Sequence, residues 1–296
     1  MPTLANLRGD APMRGIALMV LASLLFPVGD AIAKYLIGSY DVILIVWLKF
    51  VVQTSLVVLV MVMTLPLSTF KTRRPLVQIG RGLAGIGSYG TFLVALSYIP
   101  LADAIAIEFS SPMLVVALSV PLLGERVGVR RWSAVVVGFA GTLLIVRPGF
   151  GLVHWAATLM LFAAVCVALM QIASRVLAKE EHPMTSLFYL SLTGLIVSTP
   201  PLLSLDTVAL GARDWGLMIA VGAIAGFCHY LFVRAYEFAT ASLLAPFTYG
   251  QIIGATLLGL LIFGDFPDGW TIAGTAVLIS SGLYIAYREK RVAHDD

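Results

Sequence analysis

Charge is scarce in this chain. Asp, Glu, Lys and Arg together make up 12% of its 296 residues, about half of what a soluble globular domain carries. With 59% hydrophobic residues and a mean hydropathy of +0.97, no single water-soluble core could hide so much apolar surface. Cysteine is nearly missing as well. Cys166 and Cys228 both fall inside apolar runs and read as packing residues, which leaves neither a disulfide framework nor a cysteine metal site. There is no His-x-x-Glu-His, no Asp-rich pair and no Gly-rich Lys-Ser/Thr loop, so metal catalysis and direct ATP coupling have no carrier. No metal, cofactor or nucleic-acid partner is expected. The N-terminal MPTLANLRGDAPMR lacks a short apolar region followed by a cleavage site, so the first span is expected to stay as a signal anchor. No connection is long enough for a soluble catalytic domain, so an integral membrane enzyme is the distant alternative.

What is present is a series of apolar runs of about twenty residues, the length that crosses a bilayer as a helix. The predicted spans are 14–37, 41–63, 75–98, 101–123, 131–147, 153–176, 184–204, 214–236, 240–263 and 268–287. The fold class is therefore an all-α polytopic membrane protein of ten transmembrane helices. Lys and Arg set its orientation. Of the 19 such residues, only Arg147 and Arg213 fall on the outer side, and Lys34, Lys49 and Arg81 lie within spans. The rest, among them Lys71, Arg74, Arg126, Arg130, Arg131 and Lys179, fall on the inner side and place both termini in the cytoplasm. Pro148-Gly149 marks the middle, dividing the chain into units 1–148 and 149–296.

The two units resemble each other. LMVLASLLFPVGDAIAK (18–34) is echoed by LMLFAAVCVALMQIASR (159–175). Tyr98, Phe109, Leu122-Leu123 and Trp132 recur at one constant offset as Tyr236, Phe247, Leu260-Leu261 and Trp270, and Gly124-Glu125 recurs as Gly264-Asp265. Five spans per unit is an odd number, so the second unit is expected to be inverted, as in many secondary transporters.

The stretch LADAIAIEFSSPMLVVALSVPLLGERVGVRR (101–131) concentrates the chemistry. Pro112 cannot donate to the helix ladder and crowds the carbonyl of Glu108, so it should break the fourth span beside an intramembrane carboxylate. Lys49 lies at a similar depth, roughly 10–12 Å from its outer span end. A lone charge there costs about 2.5–3.5 kcal/mol, so pairing of Lys49 with Glu108 is expected. Such a pair could receive a zwitterion, and Glu108 could also carry a proton. On the first span Ser23, Pro27, Asp30 and Lys34 form one stripe, with Asp30 and Lys34 set to pair at i,i+4. That pair either is structural or lines the outer half of a cavity. Gly82, Gly85 and Tyr89 share a face of the third span, and Gly222, Gly226 and His229 a face of the eighth. The glycines read first as close helix packing, while Tyr89 and His229 add polar tips to those faces. Gln171 matches Asp30 in the second unit. Tyr249 and Gln251 follow Pro246, which is expected to break the ninth span as Pro112 breaks the fourth. Pro27 is the third expected helix break. Trp155, Trp215 and Trp270, at span ends, read as interfacial anchors.

The run ALSYIPLADAIAIEFSSPMLVVALSVPLLGERVGVRRWSAVVVGFAGTLLIVRPG, with its fourth-span Pro, Gly-Glu-Arg turn and following Trp, resembles the EamA group of the drug/metabolite transporter superfamily. GIALMVLASLLFPVGDAIAKYL and VWLKF are also similar to that group, which departs in having Arg where Lys49 stands and a small or apolar residue at Glu108. The resemblance covers nearly the whole chain and implies a 5+5 inverted-repeat fold with a central cavity and alternating access. It implies a multi-pass protein of the cell inner membrane that moves a small organic metabolite. Amino acids are the leading class and export the leading direction. A vitamin or cofactor-like metabolite of riboflavin or S-adenosylmethionine type, taken up rather than exported, or a drug, is the alternative. Protons are a candidate coupling ion, and a homodimer is left open.

Overall fold

The computed structural model describes residues 4–125, 127–147, 155–178, 180–203 and 210–295. The expected boundary at Pro148-Gly149 and the expected inner-side residues Arg126 and Lys179 lie outside them. Among the described residues every regular element is helical. In chain order these are α1 Leu4–Ile37, α2 Val42–Thr64, α3 Pro75–Leu96, α4 Leu101–Glu108, α5 Ser111–Leu123, α6 Val129–Val146, α7 Trp155–Leu177, α8 Pro183–Leu202, α9 Ala212–Phe238, α10 Ala241–Thr248, α11 Gly250–Leu258 and α12 Gly269–Asp295. A 3-10 turn, Leu67–Phe70, precedes α3, and a π turn, Gly259–Phe263, follows α11. Among the described residues nine spans are long and apolar enough to cross a membrane, with α4–α5 acting as one and α10, α11 and the π turn contributing another. The remaining expected span, 184–204, is the 20-residue helix α8.

Local chemistry sets the ends. Asp41 caps α2 by accepting from Ile43 N at 2.8 Å, and Pro75 and Pro183 open α3 and α8 where no N–H is needed. α5 and the π turn both stop at a left-handed glycine, Gly124 (φ 68°) and Gly264 (φ 71°). In each, the glycine N–H bonds four residues back and the next N–H, of Glu125 or Asp265, bonds six residues back. A residue with a Cβ would be strained at either position. The two acidic turns paired in the sequence thus share one backbone geometry.

Two of the three expected breaks differ from expectation. The fourth span is interrupted at Phe109-Ser110, just before Pro112 in the first turn of α5, as anticipated. Pro246 sits inside α10, and the interruption falls three residues later, at Tyr249. Pro27 breaks nothing: α1 runs through it without interruption. Flanked by α9 and α11, α1 is held as one rod, and a proline so supported bends a membrane helix without ending it.

The helices exchange partners between the two halves. α1 packs on α9 and α3 on α7; α2 packs on α8 and α6 on α12; α4 and α5 lie on α7 as α10 and α11 lie on α1. Each of these pairings of a first-half with a second-half helix has its reciprocal. Because lipid is as apolar as leucine, such contacts are held by close packing more than by the hydrophobic effect. Glycines supply the closeness: Thr193 fits against Gly82, Leu190 against Gly85, Val52 against Gly222 and Phe50 against Gly194, and the backbones of Gly141 and Gly274 meet where α6 crosses α12. Cys166 and Cys228 are buried free thiols, as expected.

At one end a polar clasp joins the halves. Glu181, before α8, accepts from Thr72 Oγ1 (2.5 Å), Arg73 N (2.8 Å), Arg74 N (3.2 Å) and Gln78 Nε2 (2.6 Å). Arg74 also donates to Glu180 at 2.8 Å. Partial burial works to raise the Glu181 pKa, but these four hydrogen bonds outweigh it and hold the carboxyl below its ordinary range. A depressed carboxyl contributes stability that is complete above its unfolded pKa and is lost as pH falls through the folded one. Glu181→Gln is therefore expected to lower Tm at pH 7, by the equivalent of about 1 kcal/mol for a half-exposed group, with the gap closing in acid. Thermal melts across pH check this; equal melting at pH 7, or a gap that persists in acid, would contradict it.

Candidate functional site

Five helices bring charge to one place between the halves. Asp30 comes from α1, Lys49 from α2, Tyr89 from α3, Glu108 from the last position of α4 and His229 from α9. Asp30 lies within electrostatic reach of both Lys49 and Glu108, Tyr89 within reach of Asp30, and His229 within reach of Lys49. Lys49 is buried, 6% exposed, and its ammonium is enclosed with it. It sits over the rings of Phe50 (4.0 Å) and Tyr89 (4.1 Å), two cation–π contacts that replace part of its lost hydration. Tyr89 in turn stacks near Phe92.

Glu108 stands where α4 stops. Phe109 N bonds back to Ile105 O and Ser110 N to Ile107 O, so the chain turns tightly before α5 begins. The Glu108 carboxylate meets Ser88 Oγ at 3.5 Å, a long contact. His229 fixes its ring through Nδ1 to Ala225 O (2.7 Å) and an edge contact with Phe26, leaving Nε2 for other partners. The two interrupted spans meet here as well: Phe109, at the first break, packs on Tyr249, at the second, with ring centroids 5.1 Å apart. Tyr249 is buried and leans on Gly282 of α12.

Two expected pairings are replaced. Lys34 does not pair with Asp30. Asp30 faces the centre, while Lys34 reaches the turn after the π helix, bonding Asp265 Oδ2 (3.2 Å) and Ile99 O (3.2 Å) beside the Phe263 ring. Nor does Lys49 form an ion pair with Glu108: among the described residues none within 4.0 Å involves either. Asp30 supplies an opposite charge within electrostatic reach of Lys49, whose ammonium lies against the two rings. Gln171 on α7 and Gln251 on α11 are half-buried, and no described contact joins either to this cluster.

The sequence reading missed Phe50 and Ser88, which frame the charges, and the cross-half contacts at the Lys34 end. There Tyr40 donates to Asp214 at 2.5 Å and Arg147 pairs with Asp268. The hydrogen bond from the Arg147 guanidinium keeps the Asp268 carboxyl below its usual range. Together with Lys34–Asp265, these contacts join the halves on the side of the site opposite the Glu181 clasp.

The model of the EamA-like transporter family matches residues 13–147 and again 154–287. The chain belongs to that family. It is 25% identical over 279 residues to the S-adenosylmethionine uptake transporter of Rickettsia prowazekii, which covers 94% of each chain. It is 28% identical to the pseudopaline exporter of Pseudomonas aeruginosa (95% of this chain, 99% of the other) and 28% identical to the riboflavin transporter of Vibrio cholerae (95% of each). A crystal structure at 22% identity superposes with a TM-score of 0.66, covering 94% of this chain and 98% of that one, and so shares its fold. The chain is a multi-pass protein of the bacterial inner membrane.

If Lys49 and Asp30 share one buried electrostatic environment, losing one charge should strand the other. Lys49→Met alone is expected to lower thermal stability, and adding Asp30→Asn to restore part of it, with a coupling of about 0.5–3 kcal/mol. A double-mutant cycle of melting temperatures reads this, and strictly additive losses would break the assignment.

Proposed function

We propose that this protein is a secondary transporter which moves a small zwitterionic metabolite by alternating access, through the site that Asp30, Lys49, Tyr89, Glu108 and His229 form between its halves. The observation that carries the proposal is a buried ammonium and two half-buried carboxylates that, among the described residues, form no ion pair with one another. An α-amino carboxylate satisfies such a set: its carboxylate goes to Lys49 and its ammonium to Glu108 or Asp30. The reciprocal packing of first- and second-half helices supports an inverted repeat, with both termini cytoplasmic as the basic residues imply. Units 1–148 and 149–296 would rock about the site. The contacts of Lys34, Tyr40 and Arg147 would close the outer side and the Glu181 clasp the inner one.

Amino acids and S-adenosylmethionine both present the α-amino carboxylate. The name of the Rickettsia relative and the aromatic rings around Lys49 favour the larger, ring-bearing metabolite over a plain amino acid. Secondary transport follows the imposed gradient, so one site serves uptake or export, and the named relatives include both. Glu108, at a helix break and held by one long hydrogen bond, is the group that would take up a coupling proton.

Counterflow in proteoliposomes with labelled S-adenosylmethionine, methionine and riboflavin tests the reading. Saturable flux of S-adenosylmethionine, inhibited by methionine, is expected. Glu108→Gln should reduce that flux at least tenfold and abolish its dependence on a pH gradient while leaving folded protein in the membrane. Flux of riboflavin alone, or a Glu108→Gln protein with unchanged kinetics at every pH, would refute it.

A further inference from the structure

Gln53 is fully buried, and among the described residues neither the nitrogen nor the oxygen of its amide has a hydrogen-bond partner. Nearly all buried polar groups in folded proteins are paired, because an unpaired one loses its hydration for nothing. Gln53 lies on α2 one turn from Lys49, on the same face of the helix. Its Cα and Cγ rest against α9 at Gly226, where no side chain intervenes. His229, one turn further along α9, is within electrostatic reach of Lys49, so the amide stands beside the charged cluster on the α2–α9 side. Two hydroxyls are in the same condition: Ser23, on the α1 stripe that carries Asp30, and Ser110, at the break that follows Glu108. Among the described residues, polar atoms without partners thus come from the two helices that supply Asp30 and Lys49 and from the turn that follows Glu108.

We infer that Gln53 is a specificity-determining residue that contacts the transported metabolite, its amide receiving a ligand edge that offers a hydrogen-bond acceptor and a donor side by side, as a nucleobase does. A glutamine amide matches the adjacent amino group and ring nitrogen of adenine in this bidentate way. The ionic groups then hold the amino-acid end of the ligand, and Gln53 reads its heterocyclic end. The inference rests on the transporter reading and extends it from zwitterions to zwitterions that carry a base.

Two variants of similar length, Gln53→Leu and Gln53→Met, test it. In ligand-free protein their Tm is expected to equal or exceed that of the wild type, since an unsatisfied buried amide is removed; a fall in Tm for both would mean the amide serves the fold, and would overturn the assignment. In proteoliposomes the KM for S-adenosylmethionine is expected to rise about tenfold or more, because a site built to pair polar groups loses most when one is deleted. Adenosine is expected to compete with wild-type flux and to lose that competition in both variants. Adenosine that never competes, or variants with wild-type KM, would overturn the role of Gln53 while leaving the transporter intact. Wild-type protein that carries no zwitterion at all would overturn the underlying reading and this one with it.

Discussion

The structure depends on how it keeps an ammonium inside an apolar helical bundle. Lys49 cannot snorkel to water from its depth and is almost fully enclosed. Two aromatic rings at about 4 Å can each offset about 2 kcal/mol when desolvated, and Asp30 provides opposite charge nearby. The arrangement holds the cation, and among the described residues no hydrogen bond uses its donors. A protein that needed Lys49 only for packing would do as well with a methionine. Those donors are the reason we propose a binding site here.

The broken spans follow from the same requirement. An unbroken fourth helix would occupy all its backbone groups in its own ladder. The turn at Phe109-Ser110 frees the end of α4 beside Glu108, and the second turn at Tyr249 places a ring against Phe109, so that both interruptions lie at one contact. Irregular backbone is tolerated at membrane depth only where protein or a cavity encloses it. The reciprocal pairing of α1 with α9 and α3 with α7, sealed by glycines, builds that enclosure.

Much of this was legible in the residues. A carboxylate and an ammonium in apolar runs announce themselves because they are expensive there, and Pro112 marks its break because a missing N–H is a local fact. The glycines of α3 and α9 declared close packing and delivered it. What failed was anything set by distant neighbours. Asp30 and Lys34 look like partners at i,i+4, but Lys34 chooses Asp265, 231 residues away. Pro27 looks like a break and is overruled by the helices flanking α1. Pro246 moves its interruption to Tyr249, because the proline fits inside α10 and the chain turns only past it. Gln53 escaped notice for another reason. A neutral amide among valines carries no charge to flag it, and only its lack of a partner among the described residues gives it meaning.

The central claim is that the Glu108–Lys49 site faces each side of the membrane in turn. Labelling a single cysteine placed beside Glu108 tests it most directly, with Ser88→Cys in a background of Cys166→Ala and Cys228→Ala. A charged, membrane-impermeant thiol reagent is applied to vesicles of each orientation. The account predicts labelling from both sides, slowed from both by S-adenosylmethionine. Labelling from one side only, or from neither, would contradict alternating access at this site.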